Sequence, residues 1–161
     1  MNKHLVSNDQ DPLKLDNQLC FMLYTASRKM TSAYRPLLNE LGLTYPQYLV
    51  MLVLWEYFIG EETNKQGLKV SVISNKLQLD NGTLTPLLKR LEAQDLVTRS
   101  RDSKDERVVR IGLTASGTEL RSIATKVPET MLCNSGLSAD EFSEIYSELK
   151  TVLNKIPGML C

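Results

Sequence analysis

The sequence predicts a mainly α protein with one small β-hairpin. Three observations predict it. From Leu84 the apolar residues fall at 84, 87, 88, 91 and 96, the spacing of a helix with one apolar and one polar face. Val97 to Ser100 and Val108 to Leu113 then read as two short β runs, joined by Arg101 to Arg107, all polar or charged. On either side of this unit lie longer stretches of helical periodicity. A helix followed by a charged hairpin is the pattern of a winged helix. Its polar face carries Thr83, Thr85, Lys89 and Arg90, and its hairpin carries Arg99, Arg101, Lys104, Arg107 and Arg110. A solvated helix and loop account equally for the charges alone.

The 161 residues amount to one domain, and 42% hydrophobic residues fill a core. Net charge is zero, so any affinity for a polyanion must come from a local patch. No apolar run reaches membrane-spanning length. The start, MNKHLVSNDQDP, lacks a hydrophobic signal core, so a cytoplasmic location is expected. Cys20, Cys133 and Cys161 are too few and too scattered for a disulfide scaffold, and an odd count without CxxC argues against structural zinc. Neither a metal nor a cofactor is expected, and His4, in the polar leader, is expected to be inert.

Taken in order, residues 1 to 11 are polar and expected to fray. Asp16 or Asn17 caps a helix to about Glu40 that is apolar on more than one face, which suits burial by two partners. Gly42 closes it. Thr44 opens a very apolar core helix, TYPQYLVMLVLWEYFI, with Pro46 in its first turn. A polar loop spans Gly60 to Gly67. VSVISNKLQ is a short helix, and with the helix containing Leu84 it makes a helix-turn-helix whose second helix is the reader. Asp80, Asn81 or Thr83 can cap the reader; Thr83 keeps Pro86 in the first turn, where it is tolerated. Thr114 caps a fifth helix with Leu120, Ile123, Ala124 and Val127 inward, and Pro128 kinks or breaks it. Ser138 opens a sixth through the capping box SADE. There Phe142, Ile145, Leu149, Val152 and Ile156 form a seam that needs another helix, in the same subunit or in a second copy; the dimer is favoured.

LDNQLCFMLY at 15 to 24, LTYPQYLVMLVLW at 43 to 55, LDNGTLTPLLKRLEAQDLV at 79 to 97 and DER at 105 to 107 carry a resemblance. Over about residues 13 to 155 the chain resembles the organic-hydroperoxide-responsive repressors of the MarR family. The resemblance implies a homodimeric winged helix-turn-helix repressor of peroxide-detoxification genes, with double-stranded operator DNA as partner and an organic hydroperoxide as oxidant. It divides the chain into a leader, 1–12, and a single domain, 13–161, with a winged helix at about 44–113 and dimerisation helices at about 15–40 and 114–156. Two departures stand out: the segment Glu56 to Lys69 is longer than the family's, and Asn81 replaces the usual serine.

A lone cysteine on an apolar helix is most often a buried, inert thiol. Cys20 differs in lying at the start of its helix, where the N-terminus favours a thiolate. Tyr24, at i+4, can reach the same face and hydrogen-bond the sulfur. The resemblance adds Tyr34 to this redox sensor. Fourteen residues at 1.5 Å each put Tyr34 about 21 Å from Cys20 along one helix, so any contact between them must cross between subunits. The resemblance also casts Cys133 as the resolving thiol, condensing with a sulfenic acid on Cys20 across the dimer. An incidental loop thiol is the plain alternative, and Cys161 has no family counterpart.

Two readers in one dimer suit a pseudo-palindrome with half-sites about 34 Å apart. Asn81, Thr83, Thr85, Pro86, Lys89 and Arg90 are the expected DNA-facing residues of the reader. On the wing, Arg107 is expected to enter the minor groove, oriented by Asp105. An ordinary surface ion pair is the plain reading of those two. Rival functions are a regulator answering a small phenolic ligand, a thiol peroxidase turning over at Cys20, and a winged helix that binds protein.

Overall fold

Leu84, Leu87, Leu88 and Leu91 all lie in the core, so the reader helix packs as its spacing predicts. The computed structural model describes residues 11–59 and 66–156. The leader through residue 10, with His4, the 60–65 part of the polar loop and Cys161 lie outside the described residues.

A 3-10 turn, Leu15–Asn17, precedes α1, Leu19–Glu40. Neither Asp16 nor Asn17 caps α1, contrary to expectation. Gln18 holds that position without a side-chain capping bond, its side-chain amide donating back to the Pro12 and Lys14 carbonyls, while the Asn17 amide donates to the Asp11 carbonyl at 3.0 Å. Gly42 follows the helix end at φ 66°, a left-handed value that suits glycine. Two later helices of the chain do pack on α1, but they cover only part of it. Leu38 alone is fully buried, while Leu19, Met22 and Met30 face solvent.

The central helix is α2, Tyr45–Ile59. Val50, Met51 and Leu54 are fully buried, as a helix apolar all round requires. Gln47 is the one buried polar residue of the described core. Its Oε1 accepts from the Thr44 amide and hydroxyl, each at 2.8 Å, and its Nε2 donates to Gln94 at 3.3 Å. Gln94 in turn donates to the Gly42 carbonyl at 2.9 Å, which bolts the start of α2 to the end of the reader.

The helix-turn-helix consists of α3, Val70–Leu77, and α4, Asn81–Ala93. Asp80 caps α4, and Thr83 does not: the Asp80 carboxylate accepts from the Thr83 amide at 2.8 Å and its hydroxyl at 2.7 Å. Pro86 therefore sits inside α4. It withholds a donor only from the Gly82 carbonyl in the first turn. The hydrogen bonds of the cap carry that cost.

The wing strands are β2, Val97–Arg101, and β3, Val109–Leu113. A third strand, β1, Leu68–Lys69, pairs with the other edge of β3, so the sheet order is β1-β3-β2, all antiparallel. A two-residue strand has no alternation to read, and the sequence shows only the hairpin.

Thr114 caps α5, Ala115–Ala124, through the Gly117 amide at 2.9 Å. The break precedes Pro128: Thr125 separates α5 from α6, Lys126–Ser135. Ala124 and Val127 are buried, but Ile123 is 56% exposed and does not point inward. Ser138 and Glu141 form the expected capping box on α7, Ala139–Lys155. Every residue of α7 is exposed except Val152, which is half-buried. Among the described residues the apolar seam is thus left largely uncovered. No helix among the described residues is long and apolar enough to cross a membrane.

Candidate nucleic-acid interface and redox site

The inward turn of Leu84, Leu88 and Leu91 sends Asn81, Thr85 and Lys89 outward along one stripe of α4, with Pro86 and Arg90 beside it. Lys89 and Arg90 are exposed, and neither makes an ion pair among the described residues. Thr83 is also exposed, but its hydroxyl is committed to Asp80. Those two bonds from Thr83 hold the Asp80 carboxyl below its usual range.

The wing folds over the start of this stripe. Asn81 and Thr85 share with Arg107 a groove of about 300 Å³, which Ser71 and Arg99 also line. Arg99 is one of the hairpin charges the sequence offers, whereas Ser71, on α3, carries no signal in its own segment that would place it there. Arg99 is tied to Glu92 at 3.3 Å, and its Nε is buried without a hydrogen-bond partner among the described residues.

Asp105 does not orient the Arg107 guanidinium. Its Oδ1 accepts from the Arg107 backbone amide at 3.0 Å. A carboxylate two residues before an amide closes a local turn more readily than it reaches a long side chain. The ion pair within the wing is instead Asp102 with Arg110. The Lys104 amide first, and Arg110 second, hold the Asp102 carboxyl below its usual range.

Cys20 is the second residue of α1 and is exposed; Cys133 is exposed on α6. Tyr24 lies one turn beyond Cys20, but its hydroxyl accepts from Arg28 Nη1 at 3.3 Å, and the Arg28 guanidinium stacks 5.6 Å from its ring. That bond leaves the hydroxyl's own proton free, and no hydrogen bond joins Tyr24 to the Cys20 sulfur among the described residues. Tyr34 packs on α2, with Tyr45 at 5.2 Å and Tyr48 at 6.0 Å between ring centroids. Burial, then the neighbouring Tyr45, raises the Tyr34 phenol. Burial, then Tyr34 and Tyr45, pushes Tyr48 up to about 12. Because α1 is one continuous helix, the separation of Cys20 and Tyr34 stays near the ~21 Å given by helical rise. Tyr45, beside Tyr34, was legible only as a core residue of an apolar helix.

A family model for transcriptional regulators of the SarA/Rot type matches residues 32–122. The chain belongs to the SarA/Rot family of MarR-type winged-helix transcriptional regulators. As such a regulator it is not an enzyme, which sets aside the thiol peroxidase. The regulator is 45% identical over 151 residues to the organic hydroperoxide resistance transcriptional regulator of Bacillus subtilis, covering 94% of this chain and 97% of the relative. AbfR of Staphylococcus epidermidis matches in structure with a TM-score of 0.68 at 33% identity, over 92% of this chain and 97% of that one. Among AbfR structures, an overoxidized form bound to DNA matches with a TM-score of 0.68 and 35% identity, over 87% and 93% of the two chains. A disulfide-formed AbfR matches with a TM-score of 0.58 and 35% identity, over 86% and 92%. The fold and the relatives agree on a DNA-binding regulator.

Proposed function

We propose that this regulator is a homodimeric, redox-responsive repressor that organic hydroperoxides release from its operator. The observation that carries the reading is Cys20, solvent-exposed in the first turn of α1, on a helix whose apolar residues Leu19, Met22 and Met30 are also bare. The relative named for organic hydroperoxide resistance and the oxidised states of AbfR support it.

In this reading the domain spans 13–161, with the winged helix at about 44–113. Helices at about 15–40 and 114–156 build the dimer by covering the bare faces of α1 and α7. The two α4 helices read a pseudo-palindrome with half-sites about 34 Å apart. Asn81, Thr83, Thr85, Pro86, Lys89 and Arg90 face the major groove and its phosphates, and Arg107 reaches the adjacent minor groove from a turn fixed by Asp105.

The Cys20 thiolate attacks a peroxide oxygen. An S–O bond forms, the O–O bond breaks, the hydroperoxide is reduced to its alcohol, and the cysteine becomes a sulfenic acid. Tyr34 of the partner subunit and the molecule's own Tyr24 flank that sulfur in the dimer. The Cys133 thiol of the other subunit then displaces water from the sulfenic acid, leaving an inter-subunit disulfide. Such a bond needs Cα atoms within about 7 Å; if Cys20 and the partner's Cys133 start further apart, forming it must drag a helix and rotate the paired readers.

The test is a titration of the dimer on a labelled duplex from its own upstream region, reduced and after cumene hydroperoxide. Loss of binding that dithiothreitol restores is expected. Release by a phenolic compound, unaffected by thiol reagents, would replace the redox reading with a ligand-responsive one.

A further inference from the structure

The wing loop is fixed by a chain of bonds that starts on Arg110. The Arg110 Nε donates to Asp102 Oδ2, and its Nη1 donates to the Gly67 carbonyl at 2.9 Å. Gly67 presents that carbonyl from a turn only glycine fits: its φ is 76°, and a Cβ there would lie 2.8 Å from the Ile111 carbonyl oxygen. The other carboxylate oxygen of Asp102 accepts from the amides of Lys104 at 2.8 Å and Asp105 at 3.3 Å. Asp105 then accepts from the Arg107 amide at 3.0 Å and, through its carbonyl, from the Val108 amide at 2.9 Å. The Asp102 amide closes the loop on the Val108 carbonyl at 2.9 Å.

The side chains of Arg110 and Asp102 are only 17% and 11% exposed, so neither is offered to solvent as Lys89 and Arg107 are. Arg110 also joins strands on both its sides. It pairs in register with Lys69 on β1 and Ser100 on β2. A guanidinium suits this task because its rigid fork can serve a carboxylate and a carbonyl at once.

We infer that Arg110 and Asp102 are positioning residues for DNA binding: they latch the wing loop to the β1 turn and so set where Arg107 lies over the reader helix, without touching DNA themselves. The inference rests on the proposed role of Arg107. A positioning role and a contact role differ in what they predict. A phosphate contact contributes to the salt dependence of binding, about 0.9 in slope per contact, whereas a latch contributes none. A latch acts through Arg107 alone, so its effect vanishes once Arg107 is gone.

The probe is a duplex selected from a random-sequence pool against the wild-type protein. Arg110→Gln, Asp102→Asn, Arg107→Ala and the double variant Arg107→Ala with Arg110→Gln are titrated on it over a range of salt. Arg110→Gln is expected to bind about tenfold more weakly, the loss of one well-placed base-groove contact, with the wild-type salt slope. The double variant is expected to bind no worse than Arg107→Ala. Amide exchange is expected to quicken at Lys104, Asp105 and Arg107 in both latch variants while the β2–β3 ladder stays protected, which also verifies folding. Equal losses from Arg110→Gln with and without Arg107 would overturn the inference, as would wild-type binding by Arg110→Gln. So would a ladder that loses protection in both latch variants. Wild-type binding by Arg107→Ala would instead remove the role of Arg107 in the groove, and the latch with it.

Discussion

The ring of Tyr34 on α1 meets the ring of Tyr45 on α2 edge to face, 5.2 Å between centroids and 61° between planes. Tyr48 completes the cluster, and its ring in turn meets Trp55 at 6.3 Å. The helix that carries Cys20 in its first turn is therefore joined through aromatic rings to the helix at the centre of the core. Edge-on aromatic pairs of this kind contribute about 0.5–1.5 kcal/mol beyond their burial.

The cluster makes stability pH-dependent in the alkaline range. Tyr48 is pushed from the ordinary 10.0 up to about 12 in the folded chain, and Tyr34 moves in the same direction. A phenol whose folded value is raised contributes stability that is complete below pH 10 and lost as pH climbs towards 12. The expected slope for Tyr48 alone is about 1.4 kcal/mol per pH unit in that window. Urea midpoints of the wild type and Tyr48→Phe, measured from pH 9.5 to 12, check this. The variant should show a flatter decline.

Cys20→Ser is expected to bind the operator duplex as tightly as the wild type and to stay bound after hydroperoxide. Cys133→Ser is expected to respond to hydroperoxide yet give no crosslinked dimer on a non-reducing gel. A crosslink that survives in Cys133→Ser assigns resolution to Cys161.

Lys89 is exposed on the outward stripe of α4. Lys89→Ala is expected to weaken DNA binding and to reduce the salt slope by about 0.9, one phosphate contact. Binding isotherms at several salt concentrations measure it, and an unchanged slope removes Lys89 from the interface.

Ile145 and Leu149 are 46% and 42% exposed on α7, in the seam that the described residues of the chain leave largely uncovered. Ile145→Glu places a charge there. Sedimentation is expected to show the variant as monomer, with operator binding lost in parallel, because two half-sites need two joined readers.

The reader helix, its apolar face, the Thr114 cap and the α7 capping box could all be read from residue spacing, since each depends on neighbours within one turn. The wing was legible as a hairpin but not as a three-stranded sheet. Leu68 and Lys69 form a strand only because β3 offers them an open edge. Spacing alone also misplaced Asp105. Which charge pairs with which depends on the turn geometry of the loop, and there Arg110 takes Asp102 while Asp105 serves a backbone amide. The apolar patterns of α1 and α7 call for packing partners, and the described residues of the chain cover only part of either face. What such a face rests on is not written in its own residues, and among the described residues of one chain much of it is exposed.

Trp55 is the sole tryptophan, and its indole N–H donates to the Gly117 carbonyl at 2.8 Å, where α2 meets the first turn of α5. Gly117 can be nothing larger, since a Cβ there would lie 2.0 Å from the Leu96 carbonyl oxygen. The molecule consequently carries its own optical gauge at the seam between its core and its C-terminal arm. Any separation of α5 from α2 would redden the emission of that single indole, so it could be followed without attaching any dye.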